Sequence, residues 1–242
     1  MSLSKLSLLA VAATLTVSAV SAHADSLTLG NFSTGVVSSN SNAGQMTVSV
    51  KVGFNTTTVT GSGGNFTGST GVINGQAVSF SELFCVDLFD TINLGGTYNA
   101  TDNTQGKIFN QSINNAAEIA WLITNLAPAA TTAEENEAVQ VAIWEEEYGS
   151  SFKLISADAG VAQDATTDFN EANAISAKNL PPVSSVEWIS PTTGSDRDTN
   201  DAQGMVGLIS DPTPAVPEPA TLSLFGTGIL GLAGMVRRRL SA

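Results

Sequence analysis

The 242-residue chain is 42% hydrophobic and 13% charged, enough apolar material for a sizeable core, and it carries a net charge of −13. Of nine basic residues, Lys5 and Arg237, Arg238 and Arg239 lie at the two ends, which leaves Lys51, Lys107, Lys153, Lys178 and Arg197 against 22 acids. Scattered cations in that number build no groove for phosphates, so nucleic acid is excluded as a partner.

Met1 to Ala24 has the order of a secretory leader: Lys5, an apolar run from Leu6 to Val20, then Ala22-His23-Ala24 with cutting expected before Asp25. His23 is the sole histidine, so the mature chain has no imidazole. Ser-His-Asp and Cys-His catalysis are thereby excluded, and a zinc site would have at most one cysteine to work with. No metal and no cofactor is expected.

From about Asp25 to Asp90 the pattern is β. Met46 to Val52 alternates with period two, Gly61 to Gly71 is rich in Gly, Ser and Thr and reads as a flexible connection, and Ala77–Phe80 and Leu83–Phe89 read as further strands. Cys85 lies in the last of these and is the only cysteine. It cannot form an intrachain disulfide, which leaves a buried small hydrophobe, an intermolecular disulfide or a different covalent bond.

Helix is expected from near Gln111, with Ala116, Ile119, Ala120 and Ile123 at helical spacing, to a stop at Pro128. Thr131 with Glu134, or Thr132 with Glu135, offers a capping box for a second helix that runs to about Tyr148 and stops at Gly149. On that helix Gln140, Ile143 and Trp144 share a face, with Trp144 placed to cover Gln140. Glu145, Glu146 and Glu147, with Asp87 and Asp90, could supply a carboxylate hydrolase, but acid runs of this kind usually form a solvated face.

A third helix is expected over Asp158–Ala177, ended by Pro181-Pro182, and closing strands over Val183–Ile189 and Met205–Ile209. Asp196 to Asp201 resembles the start of a calcium loop but lacks glycine at the sixth position and glutamate at the twelfth, so it reads as a solvated turn. Pro212, Pro214, Pro217 and Pro219 make residues 211–219 an extended linker. Ala220 to Val236 follows without a charge, at the short edge of a membrane span, and Arg237-Arg238-Arg239 would hold its end on the cytoplasmic side. The expected organisation is leader 1–24, one domain 25–210, linker 211–219, and span with basic tail 220–242.

Val216-Pro217-Glu218-Pro219, the apolar span and Arg237-Arg238-Arg239 together resemble the PEP-CTERM sorting signal of Gram-negative bacteria. The resemblance implies export through the inner membrane and transient anchoring there. Processing by an exosortase near Pro217-Glu218-Pro219 and a final place on the surface or in an exopolysaccharide or biofilm matrix would follow.

Phe84-Cys85-Val86 and Val139-Gln140-Val141-Ala142-Ile143-Trp144 resemble the paired signature of the bacterial thioester domain of surface adhesins. Here Val139 stands before the glutamine where threonine is common. The resemblance implies an internal thioester between Cys85 and Gln140, formed with loss of ammonia, that captures an amine or hydroxyl on a surface, polysaccharide or protein partner. Phe84, Val86, Ile143 and Trp144 would keep that site dry. The implied class is α+β: a β-sandwich-like part with a helical part between the Cys and Gln motifs. The protein would then be a single-use covalent adhesin or matrix cross-linker and not an enzyme. The alternative is a non-covalent structural or carbohydrate-binding matrix protein in which Cys85 is a buried free thiol.

Overall fold

The computed structural model describes residues 25–32, 45–90, 92–191 and 202–210. The leader, the Asp196–Asp201 loop, the linker with Pro217, Glu218 and Pro219, and the span with its arginines lie outside the described residues.

Strands come first. β1 (Ser26–Thr28), β2 (Asn31–Phe32), β3 (Gln45–Val52), β4 (Asn55–Ser62), β5 (Phe66–Thr67), β6 (Thr70–Ile73) and β7 (Gln76–Cys85) precede β8 (Thr97–Asn103), β9 (Lys107–Ile108) and β10 (Gln111–Ser112). Helix α1 (Ala116–Trp121) runs on as a π-helical turn over Leu122–Leu126 and a 3₁₀ turn through Pro128. Then come α2 (Ala133–Tyr148), β11 (Phe152–Ser156), α3 (Val161–Ala174), β12 (Glu187–Pro191) and β13 (Met205–Ser210).

The mixed helix-and-strand class is as expected, but the main sheet is not one half of a sandwich. β1, β6, β7, β13, β12 and β8 pair antiparallel all the way round into a closed barrel, which removes sheet edges that an open arrangement would leave bare. A separate three-stranded sheet, β11–β3–β4, lies beside it. The segment between Cys85 and Gln140 is helical only in its second half, because β8, β9 and β10 precede α1.

Three local expectations are corrected. Residues 61–71 are not a loose connection: they hold the end of β4, all of β5 and the start of β6, and Phe66, Asn65 and Ser69 are buried. Helix does not begin at Gln111, since Gln111 and Ser112 pair with Ile108 and Lys107 across Phe109-Asn110, both at positive φ as a tight hairpin turn requires. Val183–Ser185 is a 3₁₀ turn and not strand; its Val183 carbonyl accepts from Trp188 Nε1 at 3.1 Å.

Helix α2 is the axis of the packing. Of the two capping boxes on offer, the chain uses Thr132 with Glu135: Thr132 Oγ1 accepts from Glu135 N at 3.2 Å, and Glu135 Oε2 accepts from Thr132 N at 3.0 Å. The helix ends at Gly149, whose φ of 52° suits a residue without Cβ. It is buried from Asn136 to Trp144, because barrel and three-stranded sheet lie on one side and α1 and α3 on the other. Ala138, Val141 and Trp144 join a first apolar cluster with Leu27, Phe80 and Met205; Val139, Ala142 and Ile143 join a second with Phe84, Ile119 and Trp188.

A β-bulge sets which way the cysteine points. Leu208 pairs with Glu82 but Ile209 pairs with Phe80, so Ser81 is the extra residue on β7. Such an insertion flips the alternation beyond it. Val78 and Phe80 before the bulge, and Leu83 and Cys85 after it, therefore all belong to the first cluster, while Phe84 and Val86 face the second.

Candidate functional site

Cys85 is the last residue of β7, opposite Met205 of β13. Its side chain is buried, and its main chain is paired by a glutamine. Gln140, fully buried in the middle of α2, presents its carboxamide to the strand end as a neighbouring strand would. Cys85 N donates to Gln140 Oε1 at 3.0 Å, and Gln140 Nε2 donates to Cys85 O at 2.7 Å. A buried amide with both ends satisfied carries no desolvation penalty left unpaid.

The thiol itself turns to a residue with no place in the sequence signature. Cys85 Sγ donates to Gln203 Oε1 at 3.0 Å, and Gln203 Nε2 in turn donates to the Asp87 carbonyl. Ala202-Gln203-Gly204 carries no periodic or motif pattern that marks it out; it reaches the site because β13 pairs with β7, and Gly204 O accepts from Val86 N at 2.8 Å. Burial pushes the Cys85 thiol well above its ordinary value, with the Asp87 carboxylate adding to the effect. It stands as a neutral S–H.

The expected shielding residues divide between two faces. Trp144 is beside the site: a Cβ on Gly63 would lie 2.8 Å from Gln140 Cγ and 3.2 Å from Trp144 Cη2, so both side chains lie close against the bare backbone of Gly63. Phe84, Val86 and Ile143 belong instead to the second cluster, on the far side of β7 from the sulfur. Phe84 and Val86 back the site and do not cover the thiol, because strand neighbours alternate faces, and Ile143 sits on the side of α2 that packs into the second cluster and not, as expected, on the face of Trp144.

Next to this arrangement lies a cavity of about 450 Å³ lined by Met46, Val48, Val59, Phe66, Leu88 and Trp144, with Asp90, Asn93 and Gln203 as polar members. Gln203 thus touches both the thiol and the cavity.

Three of the acids considered for a hydrolytic site, Glu146, Glu147 and Asp87, have amide or main-chain partners. Glu146 is held inside the fold by Asn115 Nδ2 at 2.9 Å and Asn173 Nδ2 at 2.6 Å, and burial pushes its carboxyl up to about 7. Glu147 accepts from Asn114 N at 2.7 Å, on the other flank of the helix end. Asp87 Oδ1 accepts from Phe89 N at 2.8 Å within its own turn. Among the described residues no group of three or more His, Cys, Asp or Glu side chains is placed to hold a metal, and no helix is long and apolar enough to cross a membrane.

Residues 215–239 match the family model of the PEP-CTERM protein-sorting motif. No curated protein and no solved structure matches the chain. The motif covers Pro217, Glu218, Pro219 and the three arginines, and it implies an exported protein of the cell surface or extracellular space that is processed by an exosortase. Neither Cys85 nor Gln140 falls within the matched residues.

Proposed function

We propose that this exosortase-sorted protein is a covalent surface or matrix adhesin whose reactive group is an internal thioester between Cys85 Sγ and Gln140 Cδ. The observation that carries the reading is the docking of the Gln140 carboxamide on the main chain of Cys85, two hydrogen bonds deep and away from water. Because the amide faces the Cα of Cys85, rotation of the thiol off Gln203 would turn sulfur toward the carbonyl carbon.

Addition of sulfur to Cδ would put negative charge on Oε1, the atom that already accepts from Cys85 N–H. The C–S bond then forms, the C–N bond breaks, and the amide nitrogen leaves as ammonia with the thiol proton. Holding the groups in contact and dry replaces the activation that an amide lacks in water. A partner amine or hydroxyl would later take the acyl group, return a proton to Cys85 Sγ, and stay joined to the Gln140 side chain. Each molecule reacts once, so there is no turnover and the protein is not an enzyme on this reading.

A second reading has its own observation. With thiol and amide both intact, every polar atom of Cys85 and both ends of the Gln140 amide are already paired. Gln140 would then be a structural staple in a non-covalent matrix or carbohydrate-binding protein. Thiol titration of freshly denatured protein separates the two: a single reactive thiol before any amine treatment favours the staple, and a thiol that is released only after methylamine favours the thioester.

A further inference from the structure

The edges of the three-stranded sheet are treated differently. Unpaired strand edges invite a second strand, and soluble proteins usually blunt them with charge, proline or a bulge. β11 is blunted: it carries Lys153, its pairing with β3 shifts register between Leu154 and Ser156, and α2 packs against it. β4, at the other edge, is not. Its sequence Asn-Thr-Thr-Thr-Val-Thr-Gly-Ser has no charge and no proline, and it runs in unbroken register on β3 from Asn55 to Ser62. Among the described residues nothing pairs with its outer side.

Charge and shape both say what fits there. With a net charge of −13, two copies of this chain repel over most of their surface, yet no charged residue lies between Lys51 and Glu82. β4 lies wholly within that neutral stretch. At the tip of the β3–β4 hairpin Phe54 is fully exposed and Val52 is half exposed. At the other end of β4, Val59 to Ser62 form one wall of the apolar cavity of about 450 Å³. An exposed aromatic ring and an apolar cavity thus sit at opposite ends of one bare edge strand.

We propose that β4 is a self-pairing edge, through which two copies of the chain join antiparallel into one continuous sheet. A twofold axis at Thr58 or Val59 keeps the core-facing side chains of both copies on the same side. It sets Phe54 of each copy opposite residues 62–64 of the other, at the rim of that copy's cavity. The contact uses the same patch twice and therefore closes as a dimer and does not grow into a fibre. The inference stands whether or not Cys85 and Gln140 are joined.

The test is sedimentation velocity on the full chain in mild detergent, from about 1 to about 300 µM. The native chain should pass from monomer to dimer across that range. The double variant Thr56→Glu, Thr58→Glu, which places charges on two exposed positions of the edge, the first of them opposite Lys51, should stay monomeric at every concentration, with an unchanged thermal midpoint at about 1 µM where the native chain is monomeric too. Phe54→Ser should weaken the dimer about tenfold or more. Hydrogen exchange should show β4 amides gaining protection as concentration rises in the native chain alone. A monomer throughout, a dimer that survives both glutamates, or β4 amides protected equally at all concentrations would each overturn the proposal; the last would mean that the chain covers its own edge.

Discussion

At the scale of single residues, Gln140 and Cys85 have unequal roles that stability measurements can separate. The glutamine satisfies the strand end through main-chain atoms, so Gln140→Ala leaves a buried N–H and a buried C=O of Cys85 without partners. Neither Gln140→Ala nor Cys85→Ala can form the thioester, so the two are compared with each other: in urea unfolding Gln140→Ala should be the less stable by about 1–3 kcal/mol, because Cys85→Ala keeps the carboxamide on the main chain. Equal stabilities would contradict this division. Gly63→Ala should cost about 1–3 kcal/mol, because the added methyl meets Met46 Cε at 2.6 Å as well as Gln140. Of this cluster only Cys85, Gln140 and Trp144 were legible in the chain, from the apolar and aromatic residues flanking them. Gln203 and Gly63 were not, since their place depends on strand pairing and on a close approach that leave no periodic mark.

At the scale of elements, the most readable piece was α2. Its start was read to within one residue, from two overlapping capping boxes of which Thr132 with Glu135 is the one used, and its end from Gly149, all local chemistry. Thr132→Ala should lower stability by about 1 kcal/mol in thermal or urea unfolding, and Thr131→Ala by less, because Thr132 is the residue whose Oγ1 caps the helix. Equal effects would reassign the cap. Less readable was whatever tertiary pairing decided. Residues 61–71 look like a linker by composition, yet Phe66 is buried, and Asn65 holds both Glu82 and the Leu83 N–H, which fixes the segment against β7. The barrel closes through β1, a three-residue strand too short to register as a period-two pattern. The bulge at Ser81 could not be read either, although it decides the face on which Cys85 lies.

At the scale of the whole molecule, acidity meets burial. Burial pushes Glu82, Glu137, Glu146 and Glu187 up to about 7 and Asp168 up to about 6, with neighbouring acids reinforcing the shift at Glu137, Glu146, Glu187 and Asp168. A carboxyl whose value is higher in the folded than in the unfolded chain stabilises the fold below its unfolded value, and that contribution is lost as pH rises through the folded one. The thermal midpoint should therefore fall as pH is raised from about 5 to about 8. A midpoint that climbs over that interval would show these acids to be charged and compensated in the fold. Export and sorting follow from the matched tail and are independent of this balance.

Covalent capture requires that sulfur and carboxamide have already joined in the protein as it is made. Intact-mass spectrometry of the freshly purified, unheated protein, with and without methylamine, reads this directly. The thioester predicts a mass one ammonia below that of the sequence, absent in Cys85→Ala, and addition of one methylamine at Gln140 with release of one thiol. Full sequence mass, unchanged by methylamine, would contradict it.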